Sequence, residues 1–108
     1  MANDAMVVLS TAPDEVTAKD LAGTLVEERL AACVNLVPGL RSLYWWEGQL
    51  QDDREVLLIC KTDAEHVERL TDRLHNAHPY DCPEVVALEV VGGSGRYLSW
   101  IHEVLTGE

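Results

Sequence analysis

The chain has 108 residues, of which 47% are hydrophobic and 25% are charged, and this composition predicts one globular domain over residues 1–108. Its 19 acidic and 8 basic residues give a formal net charge of −11 at pH 7. Such a charge opposes contact with phosphate backbones and anionic lipids, so nucleic acid and membranes are excluded as expected partners.

The start of the chain and its cysteines indicate a cellular compartment. Met1–Ala5 contains no basic segment and no long apolar run, so no signal peptide is predicted. No apolar window approaches the ~20 residues that a membrane-spanning helix needs. Three cysteines without a Cys-x-x-Cys spacing do not make a disulfide framework. We therefore expect a cytoplasmic, reduced protein.

A strand and a helix are predicted first. Met6–Thr11 is an almost continuous apolar run, typical of a buried strand. Pro13, followed by the acidic residues Asp14 and Glu15, predicts the start of a helix. Apolar residues then recur at helical spacing, and this helix is expected to end near Leu30–Ala32.

A long β-hairpin is predicted next. Its arms are Cys33–Trp46 and Gln49–Lys61, and they turn at Glu47-Gly48, where glycine permits a positive φ. Pro38-Gly39 predicts a bulge, a bend or an edge position in the first arm. Each arm is more than twice as long as the ~5–6 residues of an average strand. A hairpin of this length is expected to reach a partner subunit.

The second half of the chain predicts a helix, a strand and a last helix. Thr62 and Glu65 have the spacing of a capping box, with Thr62 as the cap. Apolar residues follow at helical spacing until Pro79 stops the second helix. Val85–Val91 predicts a last core strand, and Tyr97–Leu105 predicts a short amphipathic helix.

This order of elements predicts an α+β, ferredoxin-like fold: βαββαβ with an added C-terminal helix. It forms a four-stranded antiparallel sheet with two helices on one face and a long β2–β3 hairpin. The segments Val56–Cys60 and Val85–Leu88 do not alternate apolar and polar residues, so both faces of the sheet require burial. Another copy of the chain is the simplest cover for the second face, and these patterns leave dimer and trimer open.

The densest group of metal-ligand types surrounds the end of the second helix. His75 and His78 are three residues apart, a spacing that allows two histidines to share a metal ion. Asp81, Cys82 and Glu84 follow. The pattern matches no standard zinc motif, and the alternative is a set of surface side chains with no specific role.

A small polar cleft is the second candidate site. Lys61 closes an apolar strand, and near Tyr80 and Glu84 it would line such a cleft, with an ion pair as the alternative. Trp46 belongs to an aromatic stretch that suits either ligand stacking or packing at a subunit interface, and packing is favoured. No serine or cysteine lies in an activated nucleophile motif, so no enzyme activity is expected.

Several stretches, in the same order along the chain, resemble one known family. They are Ser10–Glu15, Leu30–Asn35, Ser42–Gly48, Lys61–Thr62, His78–Glu84 and Tyr97–Ile101. These stretches are similar to the CutA divalent-cation tolerance proteins, and the resemblance extends from Val7 to Val104.

The resemblance implies a cytoplasmic, non-enzymatic homotrimer of ferredoxin-like subunits whose hairpins reach onto their neighbours. It also implies binding of copper, as Cu(II), or of another divalent cation, with no organic cofactor. Copper binding in the family is attributed to a cysteine at the end of the first strand and a histidine pair before Pro-Tyr. Here Ser10 and Ala77 replace the cysteine and the first histidine. His78 and Glu84 remain as expected metal ligands, and binding should be weak because the soft thiolate is lost.

Two other functions are weighed against cation binding. The family architecture is similar to PII signalling proteins, which implies a small ligand in a cleft between subunits, lined here by Lys61, Tyr80, Glu84 and Trp46. An enzyme of the acylphosphatase type on a similar fold would need an anion-cradling first loop. The acidic Asp14 in Thr11–Asp14 counts against that activity.

Overall fold

Seven secondary-structure elements follow one another in a computed structural model that describes residues 3–107. They are β1 (Ala5–Ala12), α1 (Glu15–Glu27), β2 (Cys33–Trp46), β3 (Gln49–Asp63), α2 (Val67–Ala77), β4 (Val86–Glu89) and α3 (Gly95–Leu105). The strands form one sheet in the order β2-β3-β1-β4, and every neighbouring pair is antiparallel. The predicted ferredoxin-like order with an added C-terminal helix is confirmed.

Residues 1, 2 and 108 lie outside the described part, so the interpretation of the chain's first residues rests on sequence alone. Within residues 3–107, no helix is long and apolar enough to cross a membrane.

The β2–β3 hairpin turns at the predicted residues. Glu47 and Gly48 have φ values of 50° and 77°, so both central residues are left-handed. A two-residue turn of this kind matches the right-handed twist of the flanking strands, which explains why the arms stay paired out to Trp46 and Gln49. The molecule measures 47 × 25 × 23 Å, and its length reflects the 14 and 15 residues of these two strands.

α1 ends earlier than predicted. It stops at Glu27, whereas the sequence pattern indicated an end near Leu30–Ala32. Arg29 adopts a left-handed conformation with φ 55°, and the N–H of Leu30 donates to the carbonyl of Leu25 at 2.9 Å. This closure is a Schellman motif in which arginine takes the place usually held by glycine, so the usual sequence signal was missing.

The predicted cap of α2 was also wrong. Thr62 belongs to β3, and its hydroxyl donates to the carbonyl of Leu30 at 2.7 Å. Asp63 Oδ1 accepts from the N–H of His66 at 3.0 Å in the turn before α2, and His66, the N-cap of the helix that begins at Val67, makes no side-chain capping bond. The strand therefore continues through the residue that the capping box assigned to the helix.

The main core lies between one face of the sheet and the helices α1 and α2. Alternate residues of β1 and β3 point into it, among them Val8, Leu58 and Cys60, which are fully buried. Leu25 of α1 and Leu74 of α2 pack against them. A smaller cluster joins α3 to Ala5 and Ala32.

We call the opposite side of the sheet the second face. By strand alternation and register it carries Val7, Leu9, Leu57, Ile59, Val86 and Leu88. Four of these are half-buried, and Val86 and Leu88 are exposed. The predicted core strand Val85–Val91 is thus corrected to the four residues of β4, all of them exposed in the single chain. It is short because β1 begins at Ala5, and residues beyond Val90 have no strand to pair with.

Candidate functional site

A cavity of about 690 Å³ opens between the outer half of the hairpin and the loop that follows α2. Pro79 and the extended His78 (ψ 141°) end the helix, so the chain turns back toward the hairpin there. Two kinds of side chain dominate the lining. The aromatic ones are Tyr44, Trp46 and Tyr80, and the acidic ones are Asp53, Glu55, Asp81 and Glu84.

His78 anchors the loop that follows α2 through hydrogen bonds from its ring. Its ring is buried, with 8% of the residue exposed. Nε2 donates to the carbonyl of Thr11 at 2.7 Å, and Nδ1 accepts from the N–H of Tyr80 at 3.1 Å. The rings of His78 and Tyr80 lie 4.6 Å apart. Since both ring nitrogens are hydrogen-bonded, His78 positions Tyr80 and has no free lone pair in this arrangement.

Two tyrosine–carboxylate pairs line the cavity, one within the hairpin and one between the loop after α2 and β3. The hydroxyl of Tyr80 donates to Glu55 Oε2 at 2.8 Å, and that of Tyr44 donates to Asp53 Oδ2 at 2.5 Å. The hydrogen bond to Asp53 is the main cause that raises the pKa of Tyr44 to about 12. Burial, followed by the bond to Glu55, raises the pKa of Tyr80 above its ordinary value. Both hydroxyls therefore stay protonated and hold their carboxylates in fixed directions.

The cavity carries a negative balance of charge. Arg41 is the one basic residue in its described lining, and its guanidinium binds Asp52 through Nε at 2.7 Å and Nη2 at 3.0 Å. This pair raises the pKa of Arg41 and lowers that of Asp52. Between residues 3 and 107, the side chains of Asp81 and Glu84 make no hydrogen bond or ion pair. The lining is therefore suited to attract a cation.

Three of the four residues predicted for a cleft lie together. Tyr80, Glu84 and Trp46 line the cavity, but Lys61 does not. Lys61 shares a side of β3 with Glu55 but is six residues away, roughly 20 Å along the strand. Its ammonium group donates to Asn35 on β2.

Sequence reasoning missed the acidic wall of the hairpin. Asp53 and Glu55 fall within the predicted strand Gln49–Lys61, and the sequence pattern assigned no site role to either. Both line the cavity because residues two apart on a strand share a side. That i, i+2 spacing was the available signal, but it does not show what lies opposite.

The candidate pair His75 and His78 is separated by burial. His75 is exposed on α2, while His78 is buried beyond the helix end. In the described part of the chain, the one group of three metal-ligand side chains with converging atoms is Asp63, Glu65 and His66, within 4.8 Å of one another. It lies where β3 meets α2, and Asp63 Oδ1 already accepts from the main chain of His66 and contacts its Nδ1 at 2.6 Å. These contacts describe the turn that precedes α2. Among the described residues, the cavity acids form no such converging group, so they could coordinate a cation only after moving toward it.

Ser10 yields a stability prediction. Its hydroxyl is fully buried and has no hydrogen-bond partner among the described residues. We expect Ser10→Ala to raise the free energy of unfolding by about 1 kcal/mol, because an unpaired buried hydroxyl is removed. Denaturant unfolding at fixed protein concentration measures the change. Thr62→Val is the matched control and should lower it by about 1 kcal/mol, because it removes a paired hydroxyl. A loss of stability in Ser10→Ala would contradict the prediction.

Comparisons of sequence give a consistent result. A family model described as CutA1 divalent ion tolerance protein matches residues 6–104. The chain is 50% identical over 102 residues to the divalent-cation tolerance protein CutA of Pectobacterium atrosepticum, covering 94% of this chain and 93% of that protein. It is also 50% identical over 102 residues to the protein of that name from Salmonella newport, covering 94% of this chain and 89% of that protein.

Solved structures agree with the sequence relatives. The crystal structure of CutA from Xylella fastidiosa superposes with a TM-score of 0.92 at 41% identity, covering 94% of this chain and 98% of that one. The crystal structure of CutA1 from Oryza sativa superposes with a TM-score of 0.91 at 46% identity, covering 94% and 93%.

Proposed function

Since the chain belongs to the CutA1 divalent ion tolerance family, we propose that it is a non-enzymatic, cytoplasmic homotrimer that binds copper or other divalent cations weakly. The observation that carries this function is the acidic cavity. Four carboxylates line it, and Arg41, the one basic side chain among the described lining residues, is paired with Asp52. Such a lining raises the local concentration of cations.

Glu84 and His78 are the proposed metal ligands. Glu84 lies in the cavity lining and supplies carboxylate oxygens. His78 can contribute Nδ1 only if the N–H of Tyr80 releases it, so metal binding there requires a shift of the loop. Ser10 and Ala77 stand where the family resemblance implies a thiolate and an imidazole. A site with oxygen ligands and one constrained imidazole should favour copper less than the thiolate site.

The second face supports assembly with other copies. Val86 and Leu88 are 45% and 48% exposed, beside the half-buried Leu9 and Ile59. Trp45 and Leu50, a cross-strand pair near the hairpin tip, are also exposed, and strand alternation places them on the other side of the hairpin. An exposed apolar sheet face of this kind is covered by another subunit in many oligomers.

Lys61 also supports assembly with a neighbouring copy. Within one chain it lies too far from Tyr80 and Glu84 to share their cleft. The predicted cleft of Lys61, Tyr80, Glu84 and Trp46 therefore requires Lys61 from a neighbouring copy. Such a contact occurs in two-fold dimers and in rings alike, so the proposed trimer follows the family resemblance.

Native mass spectrometry with and without Cu(II) tests this function. We expect a trimer that takes up at most one copper ion per chain, with uptake reduced in Glu84→Gln. Glu68→Gln on α2 removes the same charge at an exposed position outside the cavity lining and should leave uptake unchanged. Equal uptake by both variants would contradict the Glu84 site, and a monomeric parent would contradict the trimer.

His78→Ala completes this series. It should reduce copper uptake if His78 ligates the metal. Because His78 also anchors the loop, its unfolding curve must be recorded beside the metal titration. Uptake that is unchanged in a folded His78→Ala protein would remove His78 from the site.

A PII-like signalling role is the second candidate. It is favoured by the cavity volume of about 690 Å³, since small-molecule sites typically measure ~300–1,000 Å³ and a single ion needs far less. A ligand of this class would raise the unfolding temperature of a trimer that shows no response to metal.

A further inference from the structure

The cavity lacks the geometry of a preformed metal cage. Divalent cations take oxygen ligands at ~2.0–2.6 Å, usually several at once. Within residues 3–107, no three cavity acids bring their ligand atoms together, since the one such group lies at Asp63, Glu65 and His66. Asp53 and Glu55 are each held by a tyrosine hydroxyl. The cavity acids thus form a negative lining, not a coordination shell.

Aromatic rings give the cavity a second property. Tyr44, Trp46 and Tyr80 line it together with the acids, and 46% of Trp46 is exposed in the single chain. A hydrated metal ion gains little binding free energy from aromatic side chains. An alkylammonium ligand gains binding free energy from two sources. Its charge interacts with aromatic rings and carboxylates, and its carbon chain covers apolar surface.

The acids lie on two sides of the cavity. Asp53 and Glu55 belong to β3, whereas Asp81 and Glu84 belong to the loop after α2. A ligand that satisfies both sides carries more than one positive nitrogen, separated by a flexible spacer. The volume of about 690 Å³ accommodates a molecule of this kind.

We propose that this cavity binds an alkylammonium ligand of the diamine or polyamine class between its aromatic rings and its two sets of carboxylates. The inference rests on the proposed function, since it names a ligand class for the same cation-attracting cavity. The alkylammonium group can come from a free amine or from the side chain of Lys61 in a neighbouring copy.

Titration calorimetry with spermidine, a linear triamine, tests the proposal on the full chain. Hexaamminecobalt(III) is the control, because it has the same charge and no aliphatic body. We expect saturable binding of spermidine that is about tenfold tighter than that of the cobalt complex. Equal affinity for the two would overturn the proposal, since charge alone would then explain binding.

Two pairs of variants locate the site. Trp46→Ala should weaken spermidine binding about tenfold, while Trp45→Ala, next to it but outside the cavity lining, should not. Glu84→Gln should weaken binding, while the charge-matched Glu68→Gln should not. Native mass spectrometry verifies that each variant keeps the parent's assembly. Equal losses within either pair would overturn the assignment to this cavity.

Lys61→Gln distinguishes the two sources. If the parent binds spermidine, the ligand is a free amine. If only Lys61→Gln binds it, Lys61 of a neighbour supplies the ammonium group in the parent. Binding by neither protein overturns the proposal. Copper uptake is measured separately, so a copper-binding protein that ignores spermidine would retain the proposed function and lose this inference.

Discussion

Leu88→Glu is expected to convert the proposed trimer into folded monomers. Leu88 is 48% exposed in the single chain and lies on the edge strand β4, where it pairs with Val7 on the second face. A glutamate there is solvated in a monomer and does not disturb the main core. In a trimer the same charge would be buried without a partner, at a cost of several kcal/mol in each of three contacts.

Light scattering coupled to size-exclusion chromatography measures this effect as a fall from three chains to one. Circular dichroism verifies that the variant keeps its helices and strands. Val16→Glu is the control, since Val16 is 73% exposed on α1, away from the second face. If Leu88→Glu remains trimeric, β4 is not part of the interface. If it unfolds as a monomer, the second face is needed for the subunit fold itself.

Leu58→Ala should lower the free energy of unfolding by about 3 kcal/mol. Leu58 is completely buried on β3, between Ser10 of β1 and Leu36 of β2, and belongs to the core cluster under α1 and α2. Truncating it removes apolar contacts and leaves a cavity that this close-packed layer cannot fill.

Denaturant unfolding gives the magnitude most clearly in the Leu88→Glu background, where a monomer removes the dependence on protein concentration. Val16→Ala is the matched control and should change stability by less than about 0.5 kcal/mol, because it removes exposed methyl groups. A loss below about 1 kcal/mol for Leu58→Ala would show that the core adjusts around the missing side chain.

Local chemistry accounts for the parts of the fold that were predicted. Gly48 and Pro79 act through their own backbone preferences, so the hairpin turn and the end of α2 were predicted correctly. The errors arose where a tertiary contact replaced a local signal. Arg29, not glycine, closes α1, and its guanidinium reaches the carbonyl of Val104 near the end of α3 at 2.8 Å. Thr62 belongs to β3 and not to the start of α2, and its hydroxyl donates to the carbonyl of Leu30.

By itself, the sequence determined the order of elements, the two-residue turn, the negative charge and the apolar pattern of both sheet faces. These properties depend on residue type and short-range period. Only the tertiary structure decided that Tyr80 pairs with Glu55, that both nitrogens of His78 are bonded, and that Lys61 lies far from the cavity. Those outcomes depend on strand register and on how the loop after α2 folds back, which bring residues distant in sequence together.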